Sequence, residues 1–306
     1  MFLAFLAIIG LGGSNAVAIK IGNSELPPFW GATIRFGLAT LILAAIAVFA
    51  RPPWPRRLAL VGAVLYGFIG FAASYAFVYL GLVDAPAGVA QVLLATAPLL
   101  TLLLAVAQGL ERFRWQGLAG SLVAAAGIGV VFGNQLGADV PLLSLFALIA
   151  AALCMAETNV IAKLIPPGHP ISANLIGMAV GTVLLGAISM SVGEAWTLPT
   201  EAATWASLFY LASVGSVALF LTYLFVLARW TATAASYALL LMPLWTVAVA
   251  ALLLDESLSP AFAIGGALVI GGTYLGAFRS PRSQGAPVCQ PCEVAPVAVS
   301  SEGATI

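Results

Sequence analysis

The chain has 306 residues, 62% of them hydrophobic and only 7% charged, and its eleven basic side chains balance eleven acidic ones. A soluble domain carries roughly 25% charged residues, and no soluble core hides this much apolar surface, so the solvent around most of the chain is lipid. Zero net charge excludes nucleic acid as a partner and excludes a long polybasic patch for anionic membranes.

A crossing helix needs about 20 mostly apolar residues. In chain order, ten stretches meet that length: 2–21, 29–49, 58–80, 87–106, 115–132, 142–165, 171–192, 203–227, 232–254 and 261–278. The first has no basic region ahead of it, and residues 10–24 offer no cleavage site, so it reads as a retained helix rather than a signal peptide. From Arg279 the chain turns to Pro, Ser, Gly, Gln and Glu without periodicity, the composition of a disordered tail over 279–306. Cys154 lies in the sixth stretch, and the Cys289/Cys292 pair in the tail is a lone CxxC, a weak zinc or redox signal that reads first as reduced thiols. No cofactor is expected.

Charge orients the stretches. Arg51, Arg56, Arg57, Arg112, Arg114, Lys163, Arg229, Arg279 and Arg282 fall in alternate loops or the tail, which puts nine of the eleven basic residues on one side. Lys20 alone lies near the other side, with Glu25, Asp84, Asp139, Glu194, Glu201, Asp255 and Glu256. Basic loops are retained in the cytoplasm, so both termini are expected there.

The chain also repeats itself. Pro98 lies thirteen residues before Glu111, Pro243 thirteen before Glu256, and an offset of 145 pairs Ala90 with Ala235, Leu94 with Leu239, Thr101 with Thr246, Gly120 with Gly265 and Gly127 with Gly272. The repeats span 1–133 and 142–278. Five crossings is an odd number, so the second repeat enters the membrane in the opposite sense. The expected fold is an all-α membrane protein of ten transmembrane helices in two inverted five-helix repeats, the architecture of a secondary carrier.

Gly13, Ser14 and Asn15 in the first stretch are echoed by Glu157, Thr158 and Asn159 in the sixth. Together with the Pro-to-Glu spacing before a glycine-rich last helix, they resemble the EamA-type carriers of the drug/metabolite transporter superfamily, over residues 1 to about 278. Among these the chain is most similar to bacterial amino acid exporters, including the aromatic amino acid exporter type. The resemblance implies a monomer in the bacterial inner membrane that exports amino acids by alternating access, with lipid and a small-molecule substrate as its partners. The alternative is a proton-coupled exporter of cationic drugs or other small metabolites using Glu157. One departure concerns pocket shape: many members place an aromatic residue before the first-helix glycine, whereas this chain reads Leu11, Gly12, Gly13.

In such a carrier the substrate sits near the bilayer midplane between the repeats. The candidates are Ser14, Asn15, Phe71, Tyr75, Tyr79, Gln91, Asn159, Ser216, Phe220, Tyr223, Ser236 and Tyr237. Phe71, Tyr75 and Tyr79 are spaced by four and share a helix face; so do Ser213, Ser216, Phe220 and Tyr223. Aromatic walls with hydroxyls and an amide suit an amino acid side chain and its backbone-like end, although the same aromatics also suit helix packing or interfacial belts. Pro98 and Pro243 stand midway along their stretches as candidate hinges, each freeing the carbonyl four residues back, on Leu94 and Leu239. Gly117, Gly120, Gly127, Gly129, Gly265, Gly266, Gly271 and Gly272 mark the fifth and tenth stretches as closely packed scaffold.

Glu157, the carboxylate inside a stretch, is the candidate for proton coupling or cation binding, with a hydrogen-bonded structural role as the alternative. Arg35 is expected to snorkel to the interface, with a clamp on a substrate carboxylate as the alternative. Lys163 is expected to snorkel, and His169 reads as an ordinary loop residue between prolines. An enzyme lacks its residues here: there is no HExxH, histidine cluster or GxxxxGK[ST] loop. Neither a charged ring nor a carbonyl filter suggests a channel.

Overall fold

A computed structural model describes residues 2–136, 139–254 and 260–278. Asp255, Glu256, Arg279, Arg282, Cys289, Cys292 and the tail therefore lie outside the described residues. Everything ordered in the described chain is helical, as apolar surroundings demand, since a backbone without water must satisfy its polar groups within the segment. Among the described residues, seven helical segments are long and apolar enough to cross a membrane, and three shorter apolar ones cover Phe2–Asn15, Trp115–Val131 and Ala232–Ala248. The exterior is apolar to match: Leu3, Val48, Phe49 and Val183 are largely exposed.

The first half runs α1 (Phe2–Gly22), α2 (Pro28–Ala50), α3 (Leu58–Gly67), α4 (Ser74–Leu82), α5 (Ala87–Leu94), α6 (Ala97–Ala107) and α7 (Trp115–Val131). The second runs α8 (Leu142–Leu164), α9 (Pro170–Val192), α10 (Ala202–Ala212), α11 (Leu219–Leu227), α12 (Ala232–Ser236), α13 (Ala238–Leu254) and α14 (Pro260–Thr273). Starts and stops follow local chemistry. Pro28 and Pro170 open their helices where a missing N–H costs nothing. Gly193, at φ 78°, closes α9 in the left-handed region. His169 accepts from the Ile171 N–H, and Thr231 accepts from the Ala234 N–H, so His169 is a helix cap. Glu194 caps from a distance: its carboxylate accepts from the Phe29 and Trp30 N–H groups at the start of α2, at 3.1 and 2.7 Å.

Two wide turns interrupt the long segments. Residues Phe68–Ala73, between α3 and α4, and Ser213–Ala218, between α10 and α11, form π-helical turns. They stand at the same offset of 145 as the sequence repeat. Packing follows a matching pattern. α2 lies on α9 and α7 on α14; α4 lies on α8 as α11 lies on α1; α6 lies on α8 as α13 lies on α1; α3 lies on α9 as α10 lies on α2. Loops join by sides too. Ser172 donates to the Pro53 carbonyl and the Thr233 N–H to Glu111, both among the arginine-bearing loops. At the other end Thr200 donates to Glu25 and Ser144 to Asp84.

The α7–α14 contact is the most extensive between helices among the described residues, and four of the eight predicted scaffold glycines make it. A Cβ on Gly120 would lie 2.6 Å from the Gly272 carbonyl oxygen, and one on Gly265 would lie 2.5 Å from that of Gly127. Gly129 and Gly271, by contrast, face open space, and Gly117 and Gly266 meet only leucine side chains, because a glycine off the shared stripe cannot bring backbones together. Pro98 also differs from expectation. It does not kink a continuous helix: α5 ends at Leu94, and Pro98 sits in the first turn of α6, so no interior hydrogen bond is lost. Pro243 lies inside α13.

Candidate functional site

Between the two halves lies a cavity of about 270 Å³. The first half supplies Asn15 from α1, Arg35 from α2, Tyr66 from α3, Phe71 from the π turn, Tyr75 from α4 and Gln91 from α5. The second supplies Thr158 and Asn159 from α8, Phe220 and Tyr223 from α11, and Pro243 and Thr246 from α13. Of the predicted candidates, Asn15, Phe71, Tyr75, Gln91, Asn159, Phe220, Tyr223 and Pro243 thus meet around one space.

The aromatic wall is a set of edge-to-face contacts. Phe71 is the hub, with ring centroids 4.7 Å from Phe220, 5.2 Å from Phe36 and 5.3 Å from Tyr66. Phe36 in turn meets Tyr75 at 5.0 Å, nearly perpendicular. Such pairs favour one another beyond simple burial, so the wall is set before any substrate arrives. Tyr223 donates to Asn159 Oδ1 at 2.8 Å, and the Thr246 hydroxyl reaches the Gly13 carbonyl at 2.6 Å. The room left by Gly12 and Gly13 is filled by Met242 and Trp245, so α13 closes onto α1 where an aromatic residue was missing.

The other candidates lie off the cavity. The Tyr237 hydroxyl meets Ser121 at 2.9 Å and the Gly117 carbonyl at 3.0 Å, tying α12 to α7. Ser236 is fully buried on the Thr233 carbonyl. Ser14 spends its hydroxyl on the Gly10 carbonyl and accepts from Trp245. Tyr79 borders a separate crevice beneath Arg35, and Pro98 is buried in α6. Glu157 faces the C-terminal end of α6, where the capping residue Gln108 donates through Nε2 to both carboxylate oxygens at 3.1 and 2.8 Å.

Arg35 is the largest correction. It does not snorkel: its side chain is 2% exposed, stretched along Phe36 and Tyr75, with Nε donating to Ser216 Oγ and Nη2 to the Gly215 carbonyl, both at 2.9 Å. Ser216 is therefore a ligand of the arginine rather than of the cavity. The π turn explains the acceptor. The Leu219 N–H reaches five residues back to the Val214 carbonyl, leaving that of Gly215 to Arg35 and to Asn15 Nδ2, which lies at 3.0 Å. In the first half the Ser74 N–H likewise reaches back to Ile69, but the Ser74 hydroxyl itself takes the Gly70 carbonyl. Leu219 stands where the offset would put a serine, so the repeats differ where the polar site forms. A buried cation on a helix facing inward is a legible signal; depth along the segment, without its face, hid it.

Among the described residues no group of three or more His, Cys, Asp or Glu side chains could hold a metal. A protein named a probable amino-acid metabolite efflux pump, from Escherichia coli (strain K12), is 30% identical over 287 residues, which is 90% of this chain and 94% of its own. One named a probable terminal-alkyne amino-acid exporter, from Streptantibioticus cattleyicolor, is 30% identical over 89% of this chain and 88% of its own. An uncharacterized inner membrane transporter of Escherichia coli (strain K12) is 30% identical over 78% of each chain. A solved crystal structure superposes with a TM-score of 0.75 at 22% identity, covering 89% of this chain and 94% of that one, and establishes the fold alone. The model of the EamA-like transporter family matches residues 1–133 and 142–277. An apolar helical chain with an inward cavity, matched by this family along both halves, is a membrane transporter rather than an enzyme, and it belongs to the EamA-like transporter family.

Proposed function

We propose that this protein exports amino acids across the bacterial inner membrane by alternating access. In this reading it is a monomer of ten crossings in two inverted repeats, with both termini cytoplasmic. The observation that carries it is the cavity, lined from both halves by aromatic rings, amides and a guanidinium. Its volume of about 270 Å³ sits below the usual ~300–1,000 Å³ of drug-sized pockets, which suits one small metabolite. The paired π turns and matched helix contacts support the inverted repeat, and the two amino-acid relatives support the substrate class. Residues 1–133 and 142–278 are then the two repeats that rock about the cavity, with the break before Pro98 and the mid-helix Pro243 as the places where bending costs least.

The cationic-drug alternative fares worse on two counts. Glu157 is occupied by Gln108 outside the cavity, and the charge that does line the cavity is positive. Counterflow in proteoliposomes with a panel of amino acids and of cationic dyes separates the readings. Exchange of amino acids and not dyes is expected; exchange of dyes alone refutes it.

A further inference from the structure

Six buried side-chain nitrogen or oxygen atoms among the described residues find no partner: Asn15 Oδ1, Arg35 Nη1, Asn159 Nδ2 and three threonine hydroxyls elsewhere. Asn15, Arg35 and Asn159 all line the cavity, and they are 8%, 2% and 3% exposed. Each of these three side chains is held in place by its other atoms. Asn15 and Arg35 both donate to the one Gly215 carbonyl, at 3.0 and 2.9 Å, and Asn159 accepts from Tyr223. A native core leaves few polar groups unsatisfied, and an uncompensated buried guanidinium is among the costliest. Among the described residues, no carboxylate is bonded to it. Two orphan donors, one of them charged, and one orphan acceptor remain. That is the complement of a carboxylate beside an ammonium.

We propose that Arg35, Asn15 and Asn159 form a headgroup subsite for a free zwitterionic α-amino acid, with the substrate carboxylate on Arg35 and Asn159 and its ammonium on Asn15 Oδ1. The inference rests on the amino acid reading above and narrows it. Arg35 and Asn15 meet at one acceptor, which holds the guanidinium and the amide side by side. The guanidinium orders the carboxylate. The substrate side chain then lies along Phe71, Tyr75 and Phe220, which carry no charge to reject an apolar group. Compounds that keep the side chain but lack the carboxylate present a bare cation to Arg35 and are excluded.

The test uses the full chain in proteoliposomes, with counterflow of L-phenylalanine and L-leucine, and competition by the free amino acids, their amides and the matching acids without the amino group. The free amino acid is expected to compete at least about tenfold better than either analogue. Arg35→Gln is expected to raise the half-saturation concentration about 10- to 100-fold, the range for losing a charge-assisted hydrogen bond, with Arg35→Lys recovering part of it. If Arg35→Gln does not fold, the wild-type competition decides alone. Amino acid counterflow that amides inhibit as well as free amino acids overturns the subsite and leaves the exporter standing. No amino acid counterflow in wild type, with some other metabolite exchanged, overturns the amino acid reading itself.

Discussion

Adding a single methyl group to the α7–α14 contact should separate stability from transport chemistry. In Gly127→Ala the new Cβ would lie 2.7 Å from the Gly265 carbonyl oxygen, 2.8 Å from the Val269 nitrogen and 2.9 Å from Leu268 Cβ. Ordinary contacts of this kind are about 3.5 Å or longer, so the two helices must part by several tenths of an ångström along their whole seam. Overpacking of this sort costs about 1–3 kcal/mol, against which alanine's better helix propensity returns up to about 1 kcal/mol. Gly265→Ala meets the same backbone from the other side, at 2.5 Å from the Gly127 oxygen, and should cost at least as much. Gly129→Ala and Gly271→Ala are built-in controls on the same two helices, since nothing lies within 4 Å of either new methyl. Thermal unfolding in detergent reads the difference directly. The interface variants should melt lower, by about 2–4 °C for each kcal/mol, and the controls at or slightly above wild type. Equal melting temperatures for all four would refute the claim that these glycines exist for close backbone approach.

Tyr75→Ala removes an aromatic wall from a partly exposed position, so it should weaken substrate half-saturation by about 1–3 kcal/mol in proteoliposome counterflow while leaving the melting temperature near wild type. Glu157→Gln should leave downhill amino acid flux intact and insensitive to an imposed pH gradient, because the carboxylate faces Gln108 rather than the cavity; a collapse of flux in folded protein refutes this. Glu25 is held by the Thr200 hydroxyl and N–H, which draw its pKa down from 4.5 to about 2. Its contribution is therefore complete above about pH 4.5 and lost as pH falls toward 2, since the unfolded chain takes up the proton first. The difference in melting temperature between wild type and Glu25→Gln should shrink over that window. A cysteine at Asp139 should react with an impermeant maleimide added outside cells and one at Arg57 should not; the reverse would invert the orientation.

Several features were open to reading from residues alone. Hydropathy and length located the apolar segments because lipid leaves the backbone little choice, and a helix period of four gathered Phe71, Tyr75 and Tyr79. The aromatic stripe was only partly a cavity wall, since the residue at its outer end, Tyr79, turns into a neighbouring crevice. Ser236 stands at the offset of 145 from Gln91, which lines the cavity, yet it lies in the short α12, packed against α6 and α8. Tyr237, also a cavity candidate, is instead a strut to α7. Arg35 was misplaced because sequence gives depth in the bilayer more readily than helix face. The acceptor that draws it inward is a carbonyl released by a five-residue turn, and no hydrophobic pattern encodes such a turn.

Those two wide turns have a consequence for chain length. A π turn holds one more residue than the α-helix it interrupts, so the helix faces before and after it are set in different registers. Deleting one residue within Phe68–Ala73 would let α3 and α4 fuse into a regular helix with the faces on either side unchanged, because the wide turn absorbs that residue; winding the same residues as a regular α-helix would instead rotate everything beyond the turn by about 100°. In that second case Tyr75 would swing off the cavity although its own neighbours in sequence were untouched. The same holds for Phe220 and Tyr223 after Ser213–Ala218. The width of these two turns is thus as much a determinant of the binding surface as the identity of any side chain on it, since it decides which face of the following helix meets the cavity.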